Sequence, residues 1–508
     1  MTSQPQQQQL ERNAIGLTEV LFQSITFMAP AVAVALSIGF ATTYALGLTP
    51  LAVVLALVAV LFTAFSMGEL ARFLPSAGGM YTYVGRGLGS YAGWLLAWAF
   101  LLASIVVPAV LFAAFGFFAA SFLTELTGYQ QDYLWVPFTL LCAGIVWYLT
   151  YRGISISTRG GVALGLIEIG IMVVVSALLV INAGDRNSLS VFIPGDAGIQ
   201  PALQGMVFCL LAFVGFEAAA PLAEETRDPK RNTRRAILWS AVLIGIFYVF
   251  CYYAATVFFG PDKMADFIAS NDSNPWGGMA EQVLPGIGSY LVTIAIINSC
   301  LANANSGANA STRSVFALGR SRLLPAAFGN VHPTHRTPVT AIHLQAIIGI
   351  IIAVGLSLYL GNQYPATPGP LNTYFTIGYA IGLSFAGMYM AVNLATIGYF
   401  WREHRAEFSW LKHLIIPVIG FIAMIPAFLG VLGGVTVPII NLELAALTEP
   451  YSYVPPLVGI WMLIGIVIGL YFWFRERDKL QSVREAMGEI DDVPPAAPAA
   501  PAAPATPA

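Results

Sequence analysis

The sequence has few charged residues. Asp, Glu, Lys and Arg make up 10% of its 508 residues, whereas soluble domains carry about 25%. Hydrophobic residues make up 57%, and the mean hydropathy is +0.74. A soluble chain of this length cannot cover so much apolar surface with polar residues. The composition therefore excludes a soluble protein and indicates an integral membrane protein.

The sequence also has few cysteines and none of the common catalytic motifs. Its four cysteines all lie in apolar segments and form no CxxC pair, which indicates packing thiols: Cys142, Cys209, Cys251 and Cys300. It has no HExxH, GxSxG or paired metal-ligand spacing, and no phosphate-binding GxxxxGK[ST]. His332 and His335 are expected in a loop. We therefore expect no enzyme, no ATP-driven pump, no metal or other cofactor and no nucleic-acid partner.

What the sequence does have is apolar segments long enough to cross a bilayer, which takes about 20 residues. We number them spans 1 to 12, at roughly residues 20–46, 50–72, 91–124, 133–151, 161–182, 202–225, 236–260, 286–318, 338–360, 371–400, 412–435 and 453–474. Residues 1–18 form a polar tail with no evident cleavable signal. Residues 476–508 end in an Ala/Pro-rich stretch that is expected to be disordered. The pattern predicts an all-α, multi-pass protein of the inner (plasma) membrane.

Basic residues lie almost entirely on one side of these spans. The loops of that side carry Arg12, Arg72, Arg86, Arg152, Arg159, Arg227, Lys230, Arg231, Arg234, Arg235, Arg320, Arg322, Arg336, Arg402, Arg405, Lys412, Arg475, Arg477, Lys479 and Arg484. The opposite loops carry only Arg186 and Lys263, and Arg313 lies inside span 8. Because basic loops stay in the cytoplasm, both termini are predicted to be cytoplasmic.

Two spans are interrupted at corresponding positions. Span 1 carries Pro30 near its middle, and span 6 breaks at Val214–Glu217 before it meets Pro221. An ionised side chain in hydrocarbon costs at least ~2.5–3.5 kcal/mol, and broken backbone is tolerated only beside protein or a water-filled cavity. Transporters place broken helices at matching positions in two halves. We therefore predict inverted repeats at residues 19–182 (spans 1–5) and 201–400 (spans 6–10), with residues 411–475 (spans 11 and 12) outside them. The alternative is that Pro30 only kinks span 1.

Three stretches resemble a known family. FVGFEAAAPLAEETRDPKRNTRRAI is similar to span 6 and the following loop of the amino acid–polyamine–organocation (APC) transporters, where Gly-x-Glu precedes Asn/Asp-Pro-Lys-Arg-Asn. ALGRSRLLPAAFGNVHPTHRTPVTAI resembles their loop between spans 8 and 9, and YRGISISTRGGVALGLIEIGIMV their entry into span 5. The resemblance covers about residues 12–475 and is that of a bacterial permease. It implies a five-plus-five, LeuT-like fold with a central site at the breaks of spans 1 and 6. It also implies import or exchange of amino acids or related amines.

The break in span 1 departs from the family pattern. Many relatives carry glycines there, whereas this chain has Ala29-Pro30-Ala31, and proline supplies no amide hydrogen. A substrate carboxylate is therefore expected to bind the amides of Ala31, Val32 and Ala33, or to be bound more weakly. The substrate ammonium is expected at main-chain carbonyls where the helices end, at Phe27, Leu211 and Val214.

The side chains expected around the substrate are mostly apolar, which favours a neutral amino acid: Phe213, Phe216, Trp98, Leu211 and Gly307. Some relatives place tryptophans at the positions of Leu211 and Gly307, so a roomier pocket is expected here. Lipid-facing or packing positions are the alternative for each aromatic residue. Cationic amino acids and polyamines remain an alternative substrate class, since Glu168 and Glu217 could bind ammonium groups.

Three charged residues are candidates for coupling or gating. Glu168 lies in span 5, where an isolated carboxyl group suits a reversible proton carrier. Some proton-coupled relatives have a lysine near this position, and sodium-driven relatives bind an ion there, so a proton is favoured and sodium is possible. The alternative is that Glu168 pairs with Arg313 of span 8 as a structural lock. Glu217 could support the broken backbone, carry a proton or face a cationic substrate.

Span 8 is unusually polar. Asn305 and Asn309 are one turn apart and share a face. They could line the permeation path or a cation site, or they could bind neighbouring helices to span 8.

Taken together, the sequence predicts a secondary active transporter that imports amino acids by alternating access and is coupled to protons. A non-transporting amine sensor is less favoured, because the tail after span 12 is too short for a signalling domain. Nothing in the sequence fixes an oligomeric state.

Overall fold

The described chain is almost entirely helical. The computed structural model describes residues 10–195, 198–269, 274–437, 442–443 and 446–485. Ten of the described helical stretches are long and apolar enough to cross a membrane. The prediction of an all-α integral membrane protein is therefore confirmed. Residues 1–9 of the predicted N-terminal tail, and the predicted disordered tail beyond residue 485, lie outside the described residues.

Helices lie at every predicted span. Spans 1 to 6 comprise Leu17–Phe27 with Pro30–Val32, Ala33–Ser37 and Ile38–Ala45; Thr49–Phe73; Ser90–Thr127; Trp135–Arg152; Ile154–Ala183; and Gln200–Ala212 with Phe216–Glu225. Spans 7 to 12 comprise Pro229–Phe259; Gly288–Arg320; Val339–Ile350 with Ile351–Leu356 and Ser357–Gln363; Gly369–Arg402; Leu411–Ile415 with Ile416–Leu432; and Val454–Arg475. Phe216–Glu225 is a 3₁₀-helix, and three segments are π-helical: Ala33–Ser37, Ile351–Leu356 and Leu411–Ile415.

The ten stretches and the twelve predicted spans differ in two places. The first stretch, Leu17–Phe73, has 57 residues and contains both span 1 and span 2. A straight helix of that length would be about 85 Å long, against ~30 Å for a bilayer core, and the chain turns at Leu46 with φ 48° and ψ −128°. Span 4, Trp135–Arg152, has only 18 residues and ends in Tyr151 and Arg152. It is less apolar than the ten and is not among them.

Short elements connect the spans. The connecting helices are Met80–Leu88, Met264–Ala269, Pro275–Val283 and, after span 12, Arg477–Glu485. The 3₁₀-turns are Leu46–Leu48, Gly184–Arg186, Leu189–Phe192, Pro261–Lys263, Ala326–Gly329, Arg405–Glu407 and Tyr451–Tyr453. Between spans 11 and 12, Thr436–Val437 pairs antiparallel with Leu442–Glu443, with Thr436 opposite Glu443.

Spans 6 and 8 lie in the interior of the helical bundle, and span 12 lies at its periphery. In the most apolar part of each span, 83% of span 6 and 72% of span 8 is buried, against 22% of span 12. Span 8 can lie in the interior despite its polar sequence. Its Gly, Ala and Ser residues are small and allow close packing, and its Ser and Asn side chains form hydrogen bonds to neighbouring helices. The interior position of the broken span 6 places its break where other helices surround it.

Candidate functional site

The helix of span 1 is interrupted at Met28 and Ala29. It ends at Phe27 and resumes at Pro30. Ala29 has φ 48° and ψ 65°, the left-handed conformation that residues other than glycine seldom adopt. Pro30 then begins the second half of the span, where its missing N–H costs no helical hydrogen bond. The predicted break is therefore present, and it forms without glycine.

The helix of span 6 is interrupted beside it. It ends at Ala212, and Gly215 has φ 130° before the 3₁₀-helix begins at Phe216. A Cβ atom added to Gly215 would lie 2.6 Å from Phe27 Cδ1 and 2.8 Å from the Met28 nitrogen. The two breaks are thus in direct contact, and only glycine leaves room for that contact.

Two buried hydroxyl groups connect the breaks. The Tyr248 hydroxyl of span 7 donates to the carbonyls of Met28 at 2.8 Å and Ala212 at 3.0 Å. Ser24 Oγ donates to the Phe216 carbonyl at 2.9 Å and accepts the Ala219 amide at 3.0 Å. These bonds satisfy backbone groups that the helix ends would otherwise leave unpaired. Ser24 is one of the polar residues near Pro30 in the sequence, but Tyr248 could not be predicted as a partner of the breaks, because a tyrosine in an apolar span gives no distinctive signal.

The amides predicted to bind a substrate carboxylate are already bound within the protein. The Ala31 amide donates to Glu168 Oε2 at 3.2 Å, and the Val32 amide to Ser299 Oγ at 3.3 Å. The Ala33 amide donates to the Ala29 carbonyl at 2.7 Å. Glu168 is completely buried, and within the described residues its other oxygen, Oε1, has no hydrogen-bond partner. In this conformation a carboxylate of the protein itself therefore lies where a substrate carboxylate was expected.

The predicted carbonyl ligands of the ammonium group lie at the central cavity. Phe27, Leu211 and Val214 all line it. The Phe27 carbonyl accepts Asn303 Nδ2 at 2.8 Å, and the Leu211 carbonyl accepts the Val214 amide at 3.2 Å. A carbonyl has two lone pairs, so these bonds still allow a further donor.

Asn303 was missed as a site residue. It lines the cavity, and its Oδ1 is buried without a partner in the described part of the chain. Ser299, Asn303 and Ser306 follow one another at intervals of four and three residues, so they share one helical face. That face contacts span 1, since Ser306 Oγ lies 2.5 Å from Thr26 Oγ1. This spacing was the available signal, but the sequence does not show which face of span 8 meets span 1.

Asn305 and Asn309 lie on a different face. Ser157 Oγ, at the start of span 5, donates to Asn305 Oδ1 at 2.7 Å, and Asn305 Nδ2 donates to the Ser157 carbonyl at 3.1 Å. Asn309 Nδ2 lies 2.9 Å from Ser157 Oγ. Neither asparagine lines the central cavity. The structure thus favours the alternative in which both bind neighbouring helices to span 8.

Arg313 does not pair with Glu168. Its Nε lies 3.0 Å from Glu225 Oε2, and both side chains are buried. Two turns further along span 8, Arg320 pairs with Glu224 at 2.6 Å. The proposed Glu168–Arg313 lock is therefore wrong. The two ion pairs instead join span 8 to the end of span 6 on the side that carries the basic loops.

The N-terminal segment also binds the end of span 6. Ile15 forms an isolated parallel β-bridge with Thr226. The Ile15 amide donates to the Glu225 carbonyl at 3.2 Å, and the Arg227 amide donates to the Ile15 carbonyl at 2.9 Å. Together with the two ion pairs, this bridge covers the basic end of the path between spans 1 and 6.

Glu217 supports the break in span 6. Its Oε2 accepts the Gly215 amide at 3.0 Å and the Tyr389 hydroxyl at 2.5 Å. The side chain is 2% exposed, and the rings of Phe216 and Tyr389 lie 4.9 Å apart. Of the three roles considered for Glu217, these contacts favour the structural one.

The central cavity lies between the breaks and the end of the molecule opposite the basic loops. Its empty volume, which includes space open to the outside, is about 850 Å³. A second space of about 810 Å³ shares Phe40, Phe208 and Tyr379 with it and continues outwards. None of the described residues that line the central cavity carries a charge. Phe27 separates this cavity from a small pocket on the basic side that contains Glu217. The protein is therefore closed towards the basic side.

Several predicted specificity residues lie outside this cavity. Trp98 stacks on Trp461 of span 12 at 4.5 Å and donates to its carbonyl at 2.7 Å. Phe213 packs on Tyr248, Phe216 packs on Tyr389, and Gly307 lies against Phe27. Of the predicted set only Leu211 lines the cavity. The aromatic lining comes instead from spans 1, 6 and 10: Phe40, Phe208, Tyr374, Phe375 and Tyr379. Sequence alone does not distinguish these aromatic residues from lipid-facing ones.

Comparisons with known proteins agree with this architecture. A family model described as "Amino acid permease" matches residues 20–463. The low-affinity putrescine importer PlaP of Escherichia coli (strain K12) is 26% identical over 425 residues, which cover 80% of this chain and 86% of that protein. The branched-chain amino acid permease BcaP of Bacillus subtilis (strain 168) is 24% identical over 358 residues, covering 66% and 73%. The serine/threonine exchanger SteT of the same organism is 25% identical over 295 residues, covering 56% and 64%.

Proposed function

Because the chain belongs to the amino acid permease family, a family of transporters rather than enzymes, we propose that it is a secondary transporter which imports an amino acid or related amine. Transport proceeds by alternating access around the cavity at the breaks of spans 1 and 6. The protein resides in the inner membrane with both termini in the cytoplasm, and residues 19–182 and 201–400 form its inverted repeats.

The observation that carries this proposal is the contact between the two breaks. Gly215 lies directly against Phe27 and Met28, so the two helix ends meet at one wall of the central cavity. Broken helices at membrane depth supply substrate ligands in transporters. Release to the basic side requires that Phe27 move and that the Arg313–Glu225 and Arg320–Glu224 pairs separate.

A neutral amino acid is the favoured substrate. The cavity lining is aromatic and aliphatic and carries no charge among its described residues, so a charged substrate side chain would lose its hydration without a partner. Asn303 Oδ1 and the carbonyls of Phe27 and Val214 are the acceptors for the ammonium group.

A diamine is the second candidate, and one observation favours it. All three amides expected to bind a carboxylate already have partners inside the protein. A substrate without a carboxylate group would need to displace none of them. The similarity to a putrescine importer supports the same candidate.

Glu168 couples transport to protons. As a carboxylate it accepts the Ala31 amide, and it repels a second carboxylate brought to the same helix end. Proton uptake removes that repulsion and lets Glu168 leave the amide, so substrate binding and protonation favour each other. This linkage is reciprocal, as for any two coupled ligands. Sodium is the alternative driving ion.

The test is uptake by the purified protein in sealed vesicles. A thermal-shift screen against the twenty amino acids and putrescine first identifies a ligand, which raises the melting temperature by mass action. That ligand is then offered under an imposed pH gradient, an imposed sodium gradient or no gradient. Accumulation above the external concentration with the pH gradient alone is expected. Binding without any movement across the membrane would refute the transporter proposal. Accumulation driven only by sodium would refute proton coupling.

A further inference from the structure

A recess at the basic ends of spans 2 and 7 gathers positive charge. It has an empty volume of about 780 Å³ and is lined by two apolar and five cationic residues: Leu238, Trp239, Arg72, Lys230, Arg231, Arg234 and Arg235. It lies outside the central cavity and shares no lining residue with it. Nothing in the proposed transport cycle uses these side chains.

Three of these five cations have no ion-pair partner among the described residues. Arg234 pairs with Glu69 at 2.5 Å. Arg72 lies over the Phe73 ring at 5.1 Å. Arg72, Arg231 and Arg235 form no ion pair with a carboxylate of the described residues. Cations that converge on one recess repel one another, so an anion bound between them would stabilise the arrangement.

An exposed apolar stripe begins at this recess. On the helix of span 7, Trp239, Leu243 and Ile246 are 55%, 45% and 59% exposed. Their spacing of four and three residues places them on one face, which continues from Arg231 and Arg235. From Arg235 to Ile246 the helix rises about 16 Å, roughly half the thickness of a bilayer core. The surface thus offers cations at the interface and an apolar track below them.

We propose that this recess binds the phosphate of an anionic phospholipid, with an acyl chain along Trp239, Leu243 and Ile246. Arginine binds phosphate oxygens through two parallel hydrogen bonds, and tryptophan favours the headgroup level of a bilayer. A free phosphate would satisfy the arginines but would leave the apolar stripe unused. The arginines and the apolar stripe together therefore favour a lipid over a free phosphate.

The test measures lipid binding to the purified full-length protein in neutral detergent by native mass spectrometry. Phosphatidylglycerol and phosphatidylcholine with identical chains are titrated against the wild type, the R231Q/R235Q variant and a matched control, R152Q/R159Q. The control removes the same charge from exposed residues on the same side. Each cation near an anionic headgroup contributes a factor of about five in affinity, so R231Q/R235Q should bind phosphatidylglycerol about 30-fold more weakly. The control should bind it as the wild type does.

Two further measurements identify the ligand and check folding. Inorganic phosphate and glycerol phosphate are titrated in place of the lipid, and weak or absent binding of both is expected. Binding of inorganic phosphate as tight as that of phosphatidylglycerol would overturn the assignment to a lipid. Unchanged lipid affinity in R231Q/R235Q, or an equal loss in R152Q/R159Q, would overturn the site itself. Equal melting temperatures of both variants in phosphatidylcholine establish that a loss of binding is not a loss of folding.

Discussion

Both broken helices have a buried glutamate at the break, but the two carboxylates are bound differently. Glu217 follows its own break and accepts two hydrogen bonds, from the Gly215 amide and the Tyr389 hydroxyl. Glu168 comes from span 5, 137 residues away from the amide of Ala31 that it accepts, and its Oε1 has no partner among the described residues. A buried polar group without a partner costs ~1–3 kcal/mol. Glu217 is thus held by two donors at its own break, whereas Glu168 keeps one oxygen without a partner among the described residues.

The backbones of the two breaks also differ, in how strictly each requires a particular residue. Gly215 has φ 130° and no room for a Cβ atom, whereas Ala29 adopts φ 48° with its methyl group in place. The break in span 6 therefore depends on one residue type, and the break in span 1 does not. Substitutions at the two breaks should therefore differ in their effect on stability.

Replacing Gly215 should have the largest effect. Gly215→Ala places a Cβ atom 2.6 Å from Phe27 Cδ1 and strains the backbone, so we expect a loss of about 3–5 kcal/mol and no uptake. The measurement is the melting temperature in detergent together with vesicle uptake. Gly170→Ala in span 5 is the control, because a Cβ there meets nothing within 4 Å. Similar melting temperatures for the two variants would show that the breaks are not in tight contact.

Glu217→Gln should have the next largest effect. Both donors bind the same oxygen, Oε2, so the amide oxygen of glutamine can still accept both. It is uncharged and accepts them more weakly, so a loss of about 1–3 kcal/mol is expected. Tyr389→Phe removes only one of the two bonds, and its loss should be smaller, about 1 kcal/mol. Melting temperatures in the same detergent compare the two. If Tyr389→Phe proves the more harmful, the carboxylate is not the centre of this network.

Glu168→Gln should change stability by less than about 1 kcal/mol, because the glutamine can still accept the Ala31 amide. Its effect on transport should be large. A side chain that cannot ionise should abolish accumulation driven by a pH gradient but retain exchange of substrate between the two sides. Both are measured in vesicles with the ligand identified by thermal shift. Undiminished accumulation under the pH gradient would exclude Glu168 as the proton carrier.

Ala29→Gly should have the smallest effect. Glycine adopts the left-handed conformation without the cost that alanine incurs, but it also loses more entropy on folding. We expect a free energy of unfolding within about 1 kcal/mol of the wild type, checked by the melting temperature, and normal uptake. Loss of folded protein would mean that the Ala29 methyl group, rather than the backbone turn, holds the break in span 1.

The position of each break could be predicted from the sequence, but the partners of its atoms could not. Pro30 and Gly215 are local signals, and both coincide with the observed ends of helices. The bond between Ala31 and Glu168 depends on how spans 1 and 5 pack, which no local pattern encodes. The same holds for Arg313. Glu168 was its candidate partner from the sequence, but its actual partner is Glu225.

The sequence also could not show which face of a helix points towards the cavity. Asn303, Asn305 and Asn309 are equally polar, and all lie in span 8. Only the packing of the neighbouring spans turns Asn303 towards the cavity and the other two towards Ser157. Trp98 was predicted to lie near the substrate because it is aromatic, but it packs against span 12.

The β-bridge at Ile15 allows the opening of the basic end to be followed by chemical labelling. All four cysteines of the chain are buried, so the native protein offers little background reaction with a polar maleimide. Ile15 is 1% exposed while it pairs with Thr226. A thiol introduced by Ile15→Cys would be shielded as long as the basic end is shut and would react once the bridge separates. The rate of its modification would then report, in real time, how often the transporter opens towards its basic side.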